Sequence, residues 1–192
     1  IYRDNKVYQI CFEKGGKIKT PLHELNVPCS KKSGTTVHFK PDKTLFTTSS
    51  FSHTVIVERL RETAFLMPGI SFVFIDEAIN KKEVFCYENG IVEFVKYNTE
   101  NKVRLHDVVS ISGDSDGIHV DMAFVYCDDY SDDDSSLRSY VNNVRTKDGG
   151  THEIGLRSAM TKAFNAYATE SGLLTKNKIK SLDAKDIREG VN

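Results

Sequence analysis

The stretch that most constrains the fold is VNNVRTKDGGTHEIGLRSAMTKAFNAY, Val141 to Tyr167. An apolar run meets Lys147-Asp148-Gly149-Gly150, and a long amphipathic pattern begins at once. Adjacent glycines allow a sharp reversal through backbone angles closed to other residues. Thr151 stands where an N-cap belongs, its hydroxyl able to satisfy a free N–H of the first turn. Glu153 in that turn suits the positive end of the helix dipole. Leu156, Met160, Ala163, Phe164 and Tyr167 recur at helical spacing and make a core stripe. The small side chains of Ala159, Ala163 and Ala166 permit close approach to a sheet. The spacing predicts a strand over Leu137–Thr146, then a helix from Thr151 to between Tyr167 and Ser171. Arg157 lies beside the stripe, and its ordinary role there is that of a solvated or salt-bridged cation.

Upstream, KVYQICFE (Lys6–Glu13) alternates like a strand, Gly15-Gly16 predicts a hairpin turn, and a second strand follows from about Lys17 to Leu22. Ser33–Asp42, rich in β-branched residues and closed by Pro41, reads as a third. These first 42 residues show no helix of their own. The period then changes. A helix follows Ser52, a plausible N-cap, with Val55, Leu60, Ala64 and Phe65 inward and Arg59, Arg61 and Glu62 outward, and it ends at Pro68-Gly69. ISFVFID reads as a buried strand with EVFCYE as its hairpin partner, IVEFVKY as a short helix after Gly90, and HDVVSIS and GIHVDMAFVYC as strands joined at GDSDG. The tail holds one or two short helices, the last within DAKDIREG. Strand pairs followed by helices predict an α+β layered domain with helices on one face of a mixed or antiparallel sheet.

Composition excludes little but sharpens the reading. Hydrophobic residues make up 39% and charged residues 28% of 192, as in a folded globular chain. The net charge of −1 does not advertise a nucleic-acid binder, but its distribution is uneven. Residues 1–42 are richer in Lys and Arg than in acids. Asp128–Asp134 holds five aspartates, and Arg157–Lys180 holds five Lys/Arg against Glu170 alone. Such blocks are ordinarily solvated faces. Cys11, Cys29, Cys86 and Cys127 lack zinc-knuckle spacing, which predicts reduced thiols and a cytoplasmic protein, with Cys86 and Cys127 buried in strands. No apolar run approaches the ~18 residues of a membrane span, so no membrane partner is expected. Both ends read as cut, at Ile1 inside a strand-like pattern and at DIREGVN, so a fragment of something larger is expected.

SGTTVHFKPD, RLRETAFLMPGI, FCYENGIVEFV and the Val141–Tyr167 stretch, in that order and continued by DAKDIREG, together resemble the ATPase half of bacterial type IIA topoisomerase B subunits, those of DNA gyrase and topoisomerase IV. The resemblance runs essentially end to end and does not separate the two. It implies that residues 1–42 are the closing strands of a GHKL ATPase domain. Residues 43–192 are then a transducer domain, truncated at its C-terminal end, whose fold resembles the second domain of a small-subunit ribosomal protein. It implies ATP and Mg2+ as cofactors of the full-length protein. DNA, a second copy of the B subunit and the topoisomerase A subunit are the implied partners. Residue by residue, Thr35 matches a threonine that helps hold adenine, Val37 an apolar residue of that pocket, Arg3 an arginine at its mouth, and Arg157 a transducer arginine facing the DNA cavity. The family's catalytic glutamate, adenine-binding aspartate, magnesium-binding asparagine and glycine-rich lid would precede Ile1. Its γ-phosphate lysine would follow Asn192. The chain by itself is therefore expected to carry no catalytic residue, to bind no metal or cofactor and to be inert as an ATPase.

Other constellations read as structure. GDSDG lacks the later bidentate glutamate of a calcium loop and reads as a hairpin turn. The aspartates of CDDYSDDD read as an exposed loop before a divalent-ion site. His152, next to the expected cap, reads as a local structural residue. Two other functions stay open at this point: a non-catalytic α+β interaction module presenting its basic tail, and another GHKL ATPase such as a mismatch-repair or chaperone relative.

Overall fold

The computed structural model describes residues 1–128 and 136–192 and forms two compact units, Ile1–Ser52 and His53–Asn192. The acidic CDDYSDDD loop lies outside the described residues from residue 129 onward.

In the first unit, β1 (Tyr2–Arg3), β2 (Lys6–Glu13) and β3 (Lys17–Leu25) form an antiparallel sheet in that order. Asp4 and Asn5, both in the left-handed region, close the first turn between paired Arg3 and Lys6. Lys14-Gly15-Gly16 closes the second, as expected from the two glycines. The expected third strand is a correction. Only Gly34 pairs, with Tyr2 through mutual N–H···O bonds of 2.9 and 3.1 Å, and residues 35–42 join no ladder. β-Branched residues favour extended backbone, but a strand also needs an edge, and β1 is two residues long.

The second unit alternates helices with hairpins: α1 (His53–Leu66), β4 (Phe72–Asp76), β5 (Lys81–Phe85), α2 (Ile91–Asn98), β6 (Val109–Ser115) and β7 (Ile118–Phe124). The short β8 (Tyr140–Val141) and β9 (Val144–Arg145) then precede α3 (Thr151–Glu170), α4 (Leu173–Asn177) and α5 (Ala184–Arg188). The α+β expectation holds, and each pairing of these strands is antiparallel. β4 is not a buried strand: Phe72 and Phe74 are half-buried while Val73 and Ile75 face out. The expected Leu137–Thr146 strand is instead a hairpin, because Asn142 and Asn143 both take positive φ and turn the chain between Val141 and Val144. GDSDG is a hairpin turn as read, with Asp116-Gly117 between paired Ser115 and Ile118.

Phe65 centres one part of the core, stacked on Tyr87 and Phe94 with ring centroids 3.7 and 4.9 Å away. At α1's start the His53 ring lies against Phe74, with Nδ1 3.0 Å from Asp76 Oδ2. A second part lies around Val125 and Cys127. Their N–H groups donate to the carbonyls of Asn192 and Gly190, while Leu105 donates to Tyr126 and Asp128 to Val103. The chain's last residues thus pair along one side of 125–127. Cys127 is buried as expected. Cys86 is exposed, since it falls just beyond the end of β5.

Candidate functional site

The residues singled out by sequence fall in both units, and each unit is described by itself. In the first, Arg3 ends β1 with its side chain well exposed, Nε 3.7 Å from Asp4 Oδ2. Thr35 follows Gly34, so Arg3 and Thr35 each stand one residue from the Tyr2–Gly34 pair. Val37 lies two residues further along, 76% exposed.

The second unit gives a denser arrangement at the start of α3. Gly149 and Gly150 are constrained for different reasons. Gly149 sits at φ +68°, and a β-carbon there would also lie 3.2 Å from Glu153 Oε2. Gly150 has extended backbone that any residue adopts, but a β-carbon would meet the His152 ring at 2.8 Å. Thr151 is not the cap: it is the first helical residue, and Gly150 precedes it without a side-chain cap. The Gly150 carbonyl accepts from the N–H groups of Glu153 and Ile154 at 3.1 and 3.3 Å.

What replaces a hydroxyl cap is a cluster reached from the β8–β9 hairpin. Ser139 Oγ donates to Glu153 Oε1 at 2.5 Å. The same oxygen lies within hydrogen-bond distance of the Thr146 hydroxyl, which donates to the Ser139 carbonyl at 3.1 Å, and of His152 Nε2 at 3.1 Å. His152 Nε2 lies 3.1 Å from both the Ser139 and Thr146 hydroxyl oxygens and bridges them, the local structural role read for it. Glu153's other oxygen faces Arg157 Nη2 at 3.6 Å, one helical turn on. Both side chains are mostly covered, 16% and 29% exposed.

The face that α3 turns inward differs from the expected stripe. Leu156, Met160 and Phe164 are half-buried and Ala168 is buried, but Tyr167 is 66% exposed and Ala159, Ala163 and Ala166 face out. Polar residues take the vacated positions, because they find partners there. Thr161 Oγ1 donates to Arg157 O. Asn165 donates to Leu182 O at 3.1 Å and accepts from Leu182 N at 2.7 Å.

On α1, Arg61 and Glu62 also contradict their outward reading, and Val55 lies exposed rather than inward. The Glu62 carboxylate accepts from the Tyr140 hydroxyl and from Arg59 Nη1, the latter at 2.7 Å. Burial alone would push the Glu62 carboxyl up. The Tyr140 and Arg59 bonds outweigh it and hold it below the usual carboxylate value. Tyr140 is driven the other way, first by burial and then by the Glu62 charge that favours its neutral, donating form. Arg61 donates to Tyr97 Oη at 2.6 Å and lies over the Phe85 and Tyr97 rings, and Arg138 lies over Phe94. Arg61, Glu62, Phe94, Tyr97, Arg138 and Arg145 line a groove beside α1 and α2.

Guanidinium groups donate hydrogen bonds and accept none, so both clusters suit anionic or aromatic neighbours better than proton-transfer chemistry. Among the described residues, no group of three His, Cys, Asp or Glu side chains could hold a metal ion. Sequence reasoning found Arg157 and placed Glu153 in the first turn, but missed Ser139, Tyr140 and Glu62 as their supports. Ser139 and Tyr140 stand at the start of the short hairpin, and nothing local in the sequence marks their distant partners.

A family model described as DNA gyrase B matches residues 90–192. The chain is 50% identical over 192 residues to the B subunit of DNA topoisomerase 4 from Bacillus subtilis, covering all of this chain and 28% of that protein. It is 46% identical to the same subunit of DNA topoisomerase 4 from Streptococcus pneumoniae, covering all of this chain and 29% of the relative. Among solved structures, the 43K ATPase domain of Thermus thermophilus gyrase B, crystallised with an aminocoumarin, superposes with TM-score 0.80 at 33% identity over 99% of this chain and 51% of that one. The topoisomerase IV ATP-binding domain of Francisella tularensis, crystallised with a small-molecule inhibitor, shares the fold at TM-score 0.69 and 23% identity, over 99% and 50% of the two chains. The chain thus spans less than a third of the length of the curated relatives it matches. No helix among the described residues is long and apolar enough to cross a membrane.

Proposed function

The chain belongs to the DNA gyrase B family, and from that premise we propose that it is the part of an ATP-dependent type IIA DNA topoisomerase B subunit that relays nucleotide state to a DNA gate. The observation that carries the reading is the 50% identity, end to end, to a DNA topoisomerase 4 polypeptide of that kind. In this reading residues 1–42 close a GHKL ATPase domain and residues 43–192 belong to the transducer. The whole protein, acting in the cytoplasm, uses ATP and Mg2+, pairs with a second copy of itself and works with an A subunit on DNA.

The residues present fit part of that chemistry. Thr35 supplies a hydroxyl and Val37 an apolar surface for one wall of an adenine site, with Arg3 at its mouth. ATP, when bound to the whole subunit, supplies the phosphoryl group whose loss drives the conformational cycle. The described donor set includes no carboxylate cluster for magnesium, so no step of phosphate transfer is assigned to this chain. Its own task is mechanical and electrostatic. α3 carries Arg157 into the path of a polyanion, and the guanidinium draws phosphate by charge and forked geometry.

The test is Arg157→Ala in the complete subunit, assayed with its partner subunit at low salt. DNA-stimulated ATP hydrolysis and strand passage should fall by more than DNA-independent hydrolysis does. Equal values for variant and parent in all three assays would return Arg157 to the role of an ordinary salt-bridged surface residue.

A further inference from the structure

We infer that Glu153 and Ser139 are positioning residues for Arg157, and that the β8–β9 hairpin, pinned to α1 by the Tyr140–Glu62 bond, is the strut that holds them. The inference rests on the reading of Arg157 as a DNA-facing cation and adds what sets its direction.

The geometry divides Glu153 between two tasks. Oε1 is taken by the Ser139 hydroxyl at 2.5 Å, and Oε2 faces Arg157 Nη2 at 3.6 Å. Glu153 lies four residues before Arg157, the favourable order for an acid–base pair on a helix. A carboxylate alone on the helix surface would swing with its own side chain. This one is fixed at its far oxygen by a residue 14 positions away on another element. Ser139 is itself fixed, since Thr146 and His152 both bond to it.

The strut continues to the other side. Ser139 and Tyr140 are neighbours in the chain, and their side chains go to different helices. Ser139 reaches Glu153 on α3, and Tyr140 reaches Glu62 on α1, 78 residues away in sequence. Glu62 is steadied in turn by Arg59 at 2.7 Å. A run of polar contacts therefore joins Arg59, Glu62 and Tyr140 through one peptide unit to Ser139, Glu153 and Arg157. A shift of α1 relative to α3 has to move the hairpin and, through it, the carboxylate beside the guanidinium.

The benefit to DNA binding is entropic. A guanidinium on a long stem loses rotamer freedom when it meets a phosphate. Glu153, held by Ser139, imposes part of that loss beforehand. The ion pair is long enough to be exchanged for a phosphate oxygen.

The experiment is a double-mutant cycle in the complete subunit, read as the DNA concentration giving half-maximal stimulation of ATP hydrolysis. Glu153→Gln keeps an oxygen for Ser139 but removes the charge beside Arg157. Ser139→Ala removes only the anchor. Each should raise the half-stimulating DNA concentration by about three- to tenfold, and neither should raise it further once Arg157 is alanine. Loss of charge repulsion alone predicts the reverse for Glu153→Gln, a lower value, and that result would overturn the inference. So would an additive effect of either substitution on the Arg157→Ala background. Should Glu153→Gln fold poorly, as a shifted denaturation midpoint would show, the Ser139→Ala arm decides alone by the same criterion. If Arg157→Ala itself leaves the half-stimulating concentration unchanged, the DNA-facing reading fails and takes this inference with it. If Arg157→Ala acts while Ser139→Ala and Glu153→Gln are silent, only this inference fails.

Discussion

The two units hold together by different means. In Ile1–Ser52 the backbone does most of the holding: three antiparallel strands, two tight turns and the Tyr2–Gly34 pair, with Val7 the one buried apolar side chain among the described residues. Phe12, Ile18, Leu22 and Phe46 remain largely open to solvent there. In His53–Asn192 the side chains do it, with Ala64, Phe65, Phe85, Phe94, Val125 and Ile187 buried and Phe65 stacked on Tyr87 and Phe94. Hydrogen-bonded ladders define a shape, but each bond has only exchanged water for a carbonyl, so the net gain is small. Removal of apolar surface from water is the larger contribution, and only the second unit has much of it.

The contrast is most directly broken by truncating one aromatic ring in each unit. Phe65→Ala, at 1% exposure and stacked between two rings, should cost about 3–5 kcal/mol of stability. Phe12→Ala, at 57% exposure, should stay within about 0.5 kcal/mol. Urea denaturation of both variants measures the difference. Comparable losses would mean that Phe12 is covered in solution and that the first unit has a core of its own.

A smaller effect tests the polar side of the second unit. Glu62 titrates below its usual value of 4.5 in the folded chain. Its bonds to Tyr140 and Arg59 therefore contribute stability that is complete above about pH 4.5 and lost as the pH falls through the depressed folded value. Glu62→Gln should cost about 1–2 kcal/mol at pH 7, and its deficit should shrink as both proteins are taken towards pH 3. A deficit constant across pH 3–7 would show that the charge of Glu62 contributes nothing to the hairpin's attachment.

The smallest expected signal is none. On the proposed reading Thr35 and Val37 would offer only one wall for an adenine, on backbone without ladder partners, while the entropy cost of immobilising a nucleotide is undiminished. Calorimetry of the 192-residue chain with a non-hydrolysable ATP analogue and magnesium should show no saturable site. Binding tighter than about 100 μM, roughly 5 kcal/mol, would place a phosphate cradle somewhere in the chain and undo the view of the first unit as a partial site.

Much of this architecture was legible in the amino acids. β2 has the bounds that its alternation and the glycine turn imply, and α2 and α3 begin where the helical period begins. The errors share a physical origin, which is that local preference says nothing about partners. Thr35, Thr36 and Val37 favour extended backbone, yet lack an edge to pair with. Leu137–Thr146 reads as one strand because both halves are strand-like; the Asn142-Asn143 turn depends on asparagine's tolerance of positive φ. On α3, counting apolar residues put Tyr167 inside. Half-buried positions go instead to Glu153 and Asn165, which bond Ser139 and Leu182, and to Arg157 and Thr161, which find partners on α3 itself. The Tyr140–Glu62 bond spans 78 positions and left no local trace. The start of α3 followed the same rule: Arg157 and Glu153 were visible in the sequence, and the Ser139 hydroxyl that bonds Glu153 was not.

The double glycine ahead of α3 also sets the order in which this segment can drift over generations. Alanine at Gly150 would have to displace only the ring of His152, 2.8 Å from its β-carbon, since the backbone there is extended. A lineage that first exchanges His152 for a small residue is then free to change Gly150, whereas the opposite order passes through a clash. The two positions are epistatic, and their substitutions should arrive as a pair. Gly149 has no such escape. Its constraint is written in its own φ of +68°, so a β-carbon there is strained whatever its neighbours become.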